Sequence, residues 1–267
     1  MIKLNELILL SLLLTCLSSN SFAKKKVFIV SYGANDAPPY AMTQGGKLST
    51  GIIKDIFDRI AKELKIPIEY VKTPRKRAEL YLSNERVNAI AISNPQWLAN
   101  SHLYQWSEPI FAEKDWLVTL TKECKNINLV SDMQAMIIGT TRGYVYPKLT
   151  HYFNNKSILR SDAKNIQANF QRLKLGRLDG FIDSNILIEY HLQLYYPNKK
   201  QQAQFTIEKV KISQHYIHTA ISANSPVSAI EFNQVLAQLK TTGTISAILK
   251  KYSVQQNMPH KTTSFKQ

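Results

Sequence analysis

Cysteine is almost absent from this 267-residue chain, which has two, Cys16 and Cys124. If a leader ends at Ala23, Cys124 is left alone and no internal disulfide can form. The fold must then rest on a buried apolar core, which a chain of this length can supply once or twice. No apolar run approaches the roughly twenty residues a membrane-spanning helix needs; the run Leu7 to Leu14, interrupted by Ser11, falls well short. No G-x-S-x-G elbow, Walker loop, G-x-G-x-x-G turn or HExxH pair occurs, so the common hydrolase, nucleotide-binding and zinc-protease mechanisms have no anchor. A repeat of fixed period and a long linker are also lacking, which excludes a solenoid and independent domains on a string.

Acidic residues are in short supply: 34 Lys and Arg stand against 19 Asp and Glu, a net charge of +15. Lys3 and Glu6 cancel, so the excess belongs to the chain beyond residue 23. The basic residues are dispersed, and the densest clusters, Lys24-Lys25-Lys26 and Lys72 to Arg77, are not interleaved with base-stacking aromatics. Nucleic acid is therefore not an expected partner. Lys3, the short apolar run and the small-x-small Ser21-Phe22-Ala23 together read as a cleavable signal peptide over residues 1–23, and so as export to the periplasm. Lipid anchoring through Cys16 is disfavoured, because Thr15 stands where a smaller residue is expected.

Beyond the leader, short β-branched runs alternate with longer amphipathic stretches, the rhythm of an α/β protein. Strands are predicted at Val27–Tyr32, Ile68–Val71, Ala89–Ile92, Trp116–Thr121, Met136–Gly139, Gly180–Asp183 and Tyr216–Ser222. Helices are predicted at Gly51–Leu64, Arg77–Ser83, from Pro147, and at Ile166–Leu175, Ile186–Leu194, Ser228–Leu239 and Ile245–Tyr252. Residues 253–267 are polar and without period, and read as a flexible tail.

Several segments, in order along nearly the whole chain, resemble the bacterial extracellular solute-binding proteins of the polar-amino-acid type. They are Pro38-Pro39-Tyr40 followed by Lys47 to Ile56, Pro74-Arg75-Lys76-Arg77-Ala78, Trp106-Ser107-Glu108-Pro109, Gly139 to Tyr146, Gly176 to Gly180, and Phe232 to Leu236 with Gly243 and Lys250-Lys251-Tyr252. The resemblance implies the type II periplasmic-binding fold: two α/β lobes, two hinge crossovers and a ligand cleft that closes by hinge motion. Lobe one would comprise residues 24–117 and 219–252, and lobe two residues 118–218. It further implies a small-molecule ligand, membrane subunits of an ABC transporter or a sensor as partner, a monomer, and no cofactor.

At the expected ligand positions the chain departs from that family. The carboxylate-binding Arg falls on Asn100, the aromatic walls fall on Ala37 and Arg75, and the amine-holding Asp falls on Ser184. Asp183, one place earlier in a strand, is expected to face the other side. Arg142, in the turn Gly139 to Tyr144 between a strand and a helix, and Arg75 together suggest an anionic ligand. Tyr40, Trp97 and Tyr144 are the expected stacking walls, with Ser93, at the end of its strand, also counted among the contacts. Trp106 reads as packing.

His215 and His218 stand three apart beside a strand with no cysteine near, so neither a metal site nor a catalytic residue is expected. Two rival functions remain open. One is a periplasmic enzyme of the cyclohexadienyl dehydratase type on the same fold, for which only Asp183 and Glu108 offer an acid or base. The other is an envelope protein acting through its basic surface with an inactive cleft.

Overall fold

Ile52, Ile53, Ile56, Phe57, Ile60 and Ala61 recur three and four apart, and they wind into helix α1 (Ile52–Glu63) with that face fully buried. The structure, a computed structural model, describes residues 26–33, 38–123 and 126–253. The expected signal peptide, Cys16, Ala37, Cys124, the tail from residue 254 and the side chain of Arg75 lie outside the described residues. Burying an Ile or Phe is worth about 1.5–3 kcal/mol, so the α1 face is a major element of the core. It lies on a sheet edge made of β1 (Phe28–Gly33), β4 (Ile68–Thr73) and β5 (Ala89–Ser93), in the parallel order β4-β1-β5. Helix α2 (Arg75–Ser83) packs against β1 and β5.

The second half repeats the pattern. β8 (Ile137–Thr141), β9 (Leu159–Ala163) and β10 (Gly180–Ser184) run parallel in the order β10-β8-β9, with α3 (Thr150–Asn154), α4 (Ile166–Lys174) and α5 (Asn185–Tyr195) between or after them. Asn165 caps α4 by accepting from the Ala168 N–H, and Ser184 caps α5 by accepting from that of Leu187. A short α6 (Lys199–Gln202) precedes β11.

Two long antiparallel strands join the halves. β7 (Phe111–Leu120) pairs over residues 111–115 with β12 (Ser213–Ile221), then continues into pairing with β10 and with β11 (Phe205–Ile207). β12 returns the other way, pairing beyond residue 217 with β5 and the short β6 (Gln105–Trp106). These are the two crossovers of a two-lobed fold. Two closing helices, α7 (Ala229–Thr241) and α8 (Thr244–Ser253), pack on α1; Ser228 and Glu231 form a capping box at the start of α7.

Several sequence expectations need correction. β7 begins at Phe111, five residues before the expected Trp116, because the stretch Ala112 to Asp115, with three charges and little apolar signal, finds a full ladder on β12. A hairpin of β2 (Met42–Gln44) and β3 (Lys47–Thr50) was not expected; Gly45 and Gly46, both at positive φ, make its tight turn. β9 was also missed, since its mostly exposed Leu-Arg-Ser-Asp has little apolar signal.

The chain enters α1 through Gly51 at φ 126°. The carbonyls of Pro39 and Tyr40 accept the N–H groups of Ile52 and Ile53 at 2.9 and 3.1 Å, so the Pro39-Tyr40 backbone lies across the helix N-terminus. A Cβ at Gly51 would stand 2.5 Å from the Tyr40 carbonyl oxygen. Gly51→Ala should therefore cost about 3 kcal/mol or more, combining a backbone region nearly closed to other residues with a backbone clash. Gly45→Ala, with open space around it, should cost about 1–2 kcal/mol for its left-handed backbone alone. Equal losses for the two variants in urea unfolding would show that the Tyr40 contact is not what Gly51 serves.

Candidate functional site

Alternation along β7 puts Phe111, Glu113, Asp115 and Leu117 on one face, all buried. In the β7–β12 ladder Glu113 lies opposite His215 and Asp115 opposite Ser213. His215 Nε2 lies 2.8 Å from Asp115 Oδ2, and the Ser213 hydroxyl donates to that same carboxylate. This hydrogen bond raises the His215 pKa above its usual value, against the opposing effect of burial. The crossovers thus supply a floor of two carboxylates and an imidazole.

The other walls come from four separate loops. Tyr40, held over α1, donates its hydroxyl to Glu113 and meets Ser184 Oγ at 3.0 Å. Trp97 follows β5 in a 3-10 turn set by Asn94, whose Oδ1 accepts the Gln96 N–H at 2.9 Å while its Nδ2 donates to the Tyr216 carbonyl at 2.8 Å. The Trp97 ring stands edge-on to His215, centroids 5.7 Å apart. Tyr144 and Tyr146 come from the turn after β8, and the Thr141 N–H points at the Tyr146 hydroxyl at 3.4 Å. Asp183 and Ser184 close the far side from the end of β10. These groups surround a cavity of about 50 Å³, with Ile92, Val145 and Leu187 as its apolar contacts. That is room for a water or two, and well below the 150 Å³ or so that admits benzene.

Asp183 is 1 % exposed; its carboxylate accepts the Ser184 N–H and the Thr141 hydroxyl, each at 3.0 Å. Burial outweighs these bonds and pushes its pKa up to about 7. Glu113 is raised to about 7 as well, first by burial and then by the charges of Asp115 and Asp183, although the Tyr40 hydroxyl acts the other way. Two carboxylates raised this far and facing one cavity form the kind of cluster that functional sites display.

Of the expected contacts, the structure brings Tyr40, Trp97, Tyr144, Asp183 and Ser184 together round this cavity. Asp183 does not face away from Ser184. Ser184 is both the last residue of β10 and the cap of α5, and the turn there lets neighbouring side chains reach one space. Ser93 is buried but does not line the cavity. Asn100 is exposed at the start of a 3-10 turn, its N–H donating to Glu79 at 2.6 Å. Arg142 is exposed, its N–H bound to the Ala163 carbonyl, and it too is outside the lining. Arg75 opens α2; of its side chain nothing is described. His218 packs edge-on against Trp106 and bonds the Ser107 carbonyl, a structural role.

The residues missed from sequence are Glu113, Asp115, Tyr146 and His215. One signal could have found the first two: charges at every second place between Phe111 and Leu117, on what is otherwise an apolar face.

Among the described residues, no group of three His, Cys, Asp or Glu is placed to hold a metal, and no helix is long and apolar enough to cross a membrane. No curated protein matches the chain by sequence. The sequence pattern of the bacterial extracellular solute-binding proteins, family 3, matches residues 29–255. The chain belongs to that family. Its members bind small-molecule ligands and work with ABC transporters. Solved structures agree on the fold. A GluR0 ligand-binding core in complex with L-glutamate is 15 % identical with a TM-score of 0.72, covering 86 % of this chain and 100 % of its own. An ancestral arginine-binding protein bound to arginine is 20 % identical with a TM-score of 0.67, at 85 % and 97 % coverage. The ancestral amino acid-binding protein AncCDT-1, a precursor of cyclohexadienyl dehydratase, is 17 % identical with a TM-score of 0.69, at 86 % and 96 % coverage. At these identities the likeness establishes the type II two-lobed fold and leaves the ligand to the site itself.

The raised Asp183 pKa has a consequence for stability. Between the ordinary aspartate value of 3.8 and about 7 the folded protein retains a proton that the unfolded chain gives up, so this group progressively disfavours folding as pH rises, reaching its full effect above 7. The upper bound is on the order of 4 kcal/mol. Asp183→Asn should raise the unfolding midpoint at pH 8 and leave it nearly unchanged at pH 4. A gain of equal size at both values would show that charge burial is not the cause.

Proposed function

We propose that this family 3 protein is an exported binding protein that closes its lobes on a small organic cation, an amine or amidine with no carboxylate of its own, and delivers it to an ABC-type transporter or a sensor. One observation carries the reading: three carboxylates, Glu113, Asp115 and Asp183, and four aromatic rings face a single cavity, and no Lys or Arg is among its described lining residues. A cation gains there twice. It compensates carboxylates whose burial is otherwise unfavourable, and it meets aromatic faces, worth about 2 kcal/mol or more once water is excluded. This reverses the anionic ligand suggested by Arg75 and Arg142 in the sequence. With Asn100 exposed and outside the lining, nothing described there pairs with an α-carboxylate.

The small volume fits a shut cleft. Tyr40 and Ser184 bond across it, and Tyr190 of α5 reaches Met42 of the β2–β3 hairpin at 3.8 Å. A ligand enters when these contacts part. The dehydratase reading is disfavoured by the same charges, since a cyclohexadienyl diacid would meet carboxylates where it needs cations. A purely adhesive envelope role leaves the buried acidic cluster without a use.

A thermal-shift screen tests the proposal. Putrescine, agmatine or choline-like amines at one hundred times Kd should add about 2.7 kcal/mol, and glutamate or citrate should not protect through the cleft. Stabilisation that only acids produce, and that Asp183→Asn leaves intact, would overturn it.

The pKa values set the direction of pH dependence. Glu113 and Asp183 must ionise to hold a cation and do so near 7, and His215 is best neutral beside one. Affinity measured by calorimetry should therefore rise from pH 6 to 8, by up to about tenfold per unit for each carboxylate that ionises. Affinity that is flat or falls over that range counts against the assignment.

A further inference from the structure

The face of the β7–β12 ribbon turned away from the cleft has a different character. There Lys114 and Trp116 alternate with the buried Glu113 and Asp115, and Lys114 lies opposite Gln214. From Glu208 to Ile212 the chain leading into β12 also alternates. Glu208, Val210 and Ile212 are buried, while Lys209 and Lys211 are exposed on the same side. Lys148, at the turn before α3, reaches the same space.

Together these residues line a groove of about 620 Å³ that contains four lysines, with Trp116 and the 39 %-exposed Ile207 as its apolar surfaces. That volume lies in the range typical of small-molecule sites, about 300–1,000 Å³. None of the four ammonium groups has an ion-pair partner among the described residues. The two carboxylates in the lining are already engaged: Glu208 accepts from the Thr119 hydroxyl, and Asp115 is held by Ser213 and His215. Like charges gathered at one concave surface focus a positive potential, which an anion of matching size relieves.

The geometry points to a second binding site, on the back of the hinge, for a small multivalent anion bearing phosphate or carboxylate groups. It is separate from the cation site in charge and position, and does not depend on that assignment. Asp115 lines both spaces, so the two ligands would sit on either side of that one carboxylate. A negative charge behind Asp115 and a positive one in front of it then favour each other.

The test is calorimetric titration of the full chain with inorganic pyrophosphate and, separately, with citrate, at constant ionic strength so that general screening is held fixed. Saturable binding of one equivalent of either probe is expected. The exposed pair Lys209→Gln/Lys211→Gln should weaken it at least tenfold, and the remote exposed pair Lys47→Gln/Lys62→Gln should leave it within twofold. The probe that binds more tightly identifies the phosphate or the carboxylate as the preferred group. Absence of saturable binding by both probes, or equal losses in the two double variants, overturns the site and reduces these lysines to part of the general basic surface.

Discussion

The antiparallel pairing of residues 111–115 with residues 213–217 is the constraint on which the rest of the molecule depends. Outside that ladder β7 pairs with β10 and β11 and β12 pairs with β5 and β6, so the pairing ties the two halves together. Because strand side chains alternate, the same ladder must present two faces. One carries Glu113, Asp115 and His215 beneath the cleft; the other carries Lys114 and Trp116 towards the back. The architecture and the charge separation between the two faces therefore have a single origin.

Burial makes that arrangement costly. Glu113 and Asp183 are held so far from water that their carboxyls are half neutral near pH 7, and hydrogen bonds from Tyr40, Thr141 and the Ser184 backbone only partly offset the loss of hydration. A fold selected for stability alone would place apolar side chains there. The strain makes sense if a positive charge completes the site. The surrounding rings then act twice, excluding water and offering their faces to the cation.

The ring positions rest on ordinary structural devices. Tyr40 is placed because the backbone of its loop covers the first turn of α1, which only a glycine at 51 permits. Trp97 is placed because Asn94 bonds both its own turn and the Tyr216 carbonyl of β12. Both links run to the core or to the crossovers, so the site is tied to the most buried parts of the protein.

Most of the fold was legible along the chain. The spacing of Ile52 to Ala61 and the apolar strands Val27 to Tyr32 and Ala89 to Ile92 are local periodicities, the ordered segments from Pro38 to Tyr252 carry the family resemblance, and both kinds of signal survive in a linear sequence. So do the aromatic walls Tyr40, Trp97 and Tyr144, which follow strand ends. The sign of the site did not. Arg142 looked like an anion contact because it stands in a strand-to-helix turn, but the turn leaves it exposed. Glu113 went unmarked and His215 was weighed only as a metal ligand, because nothing local distinguishes a charge on an inner face from one on an outer face. Residues a hundred apart in sequence become neighbours only when β7 and β12 pair in register. The sequence by itself determined the elements, the family and the two-lobed plan; the register of that one ladder decided which charges face the cleft.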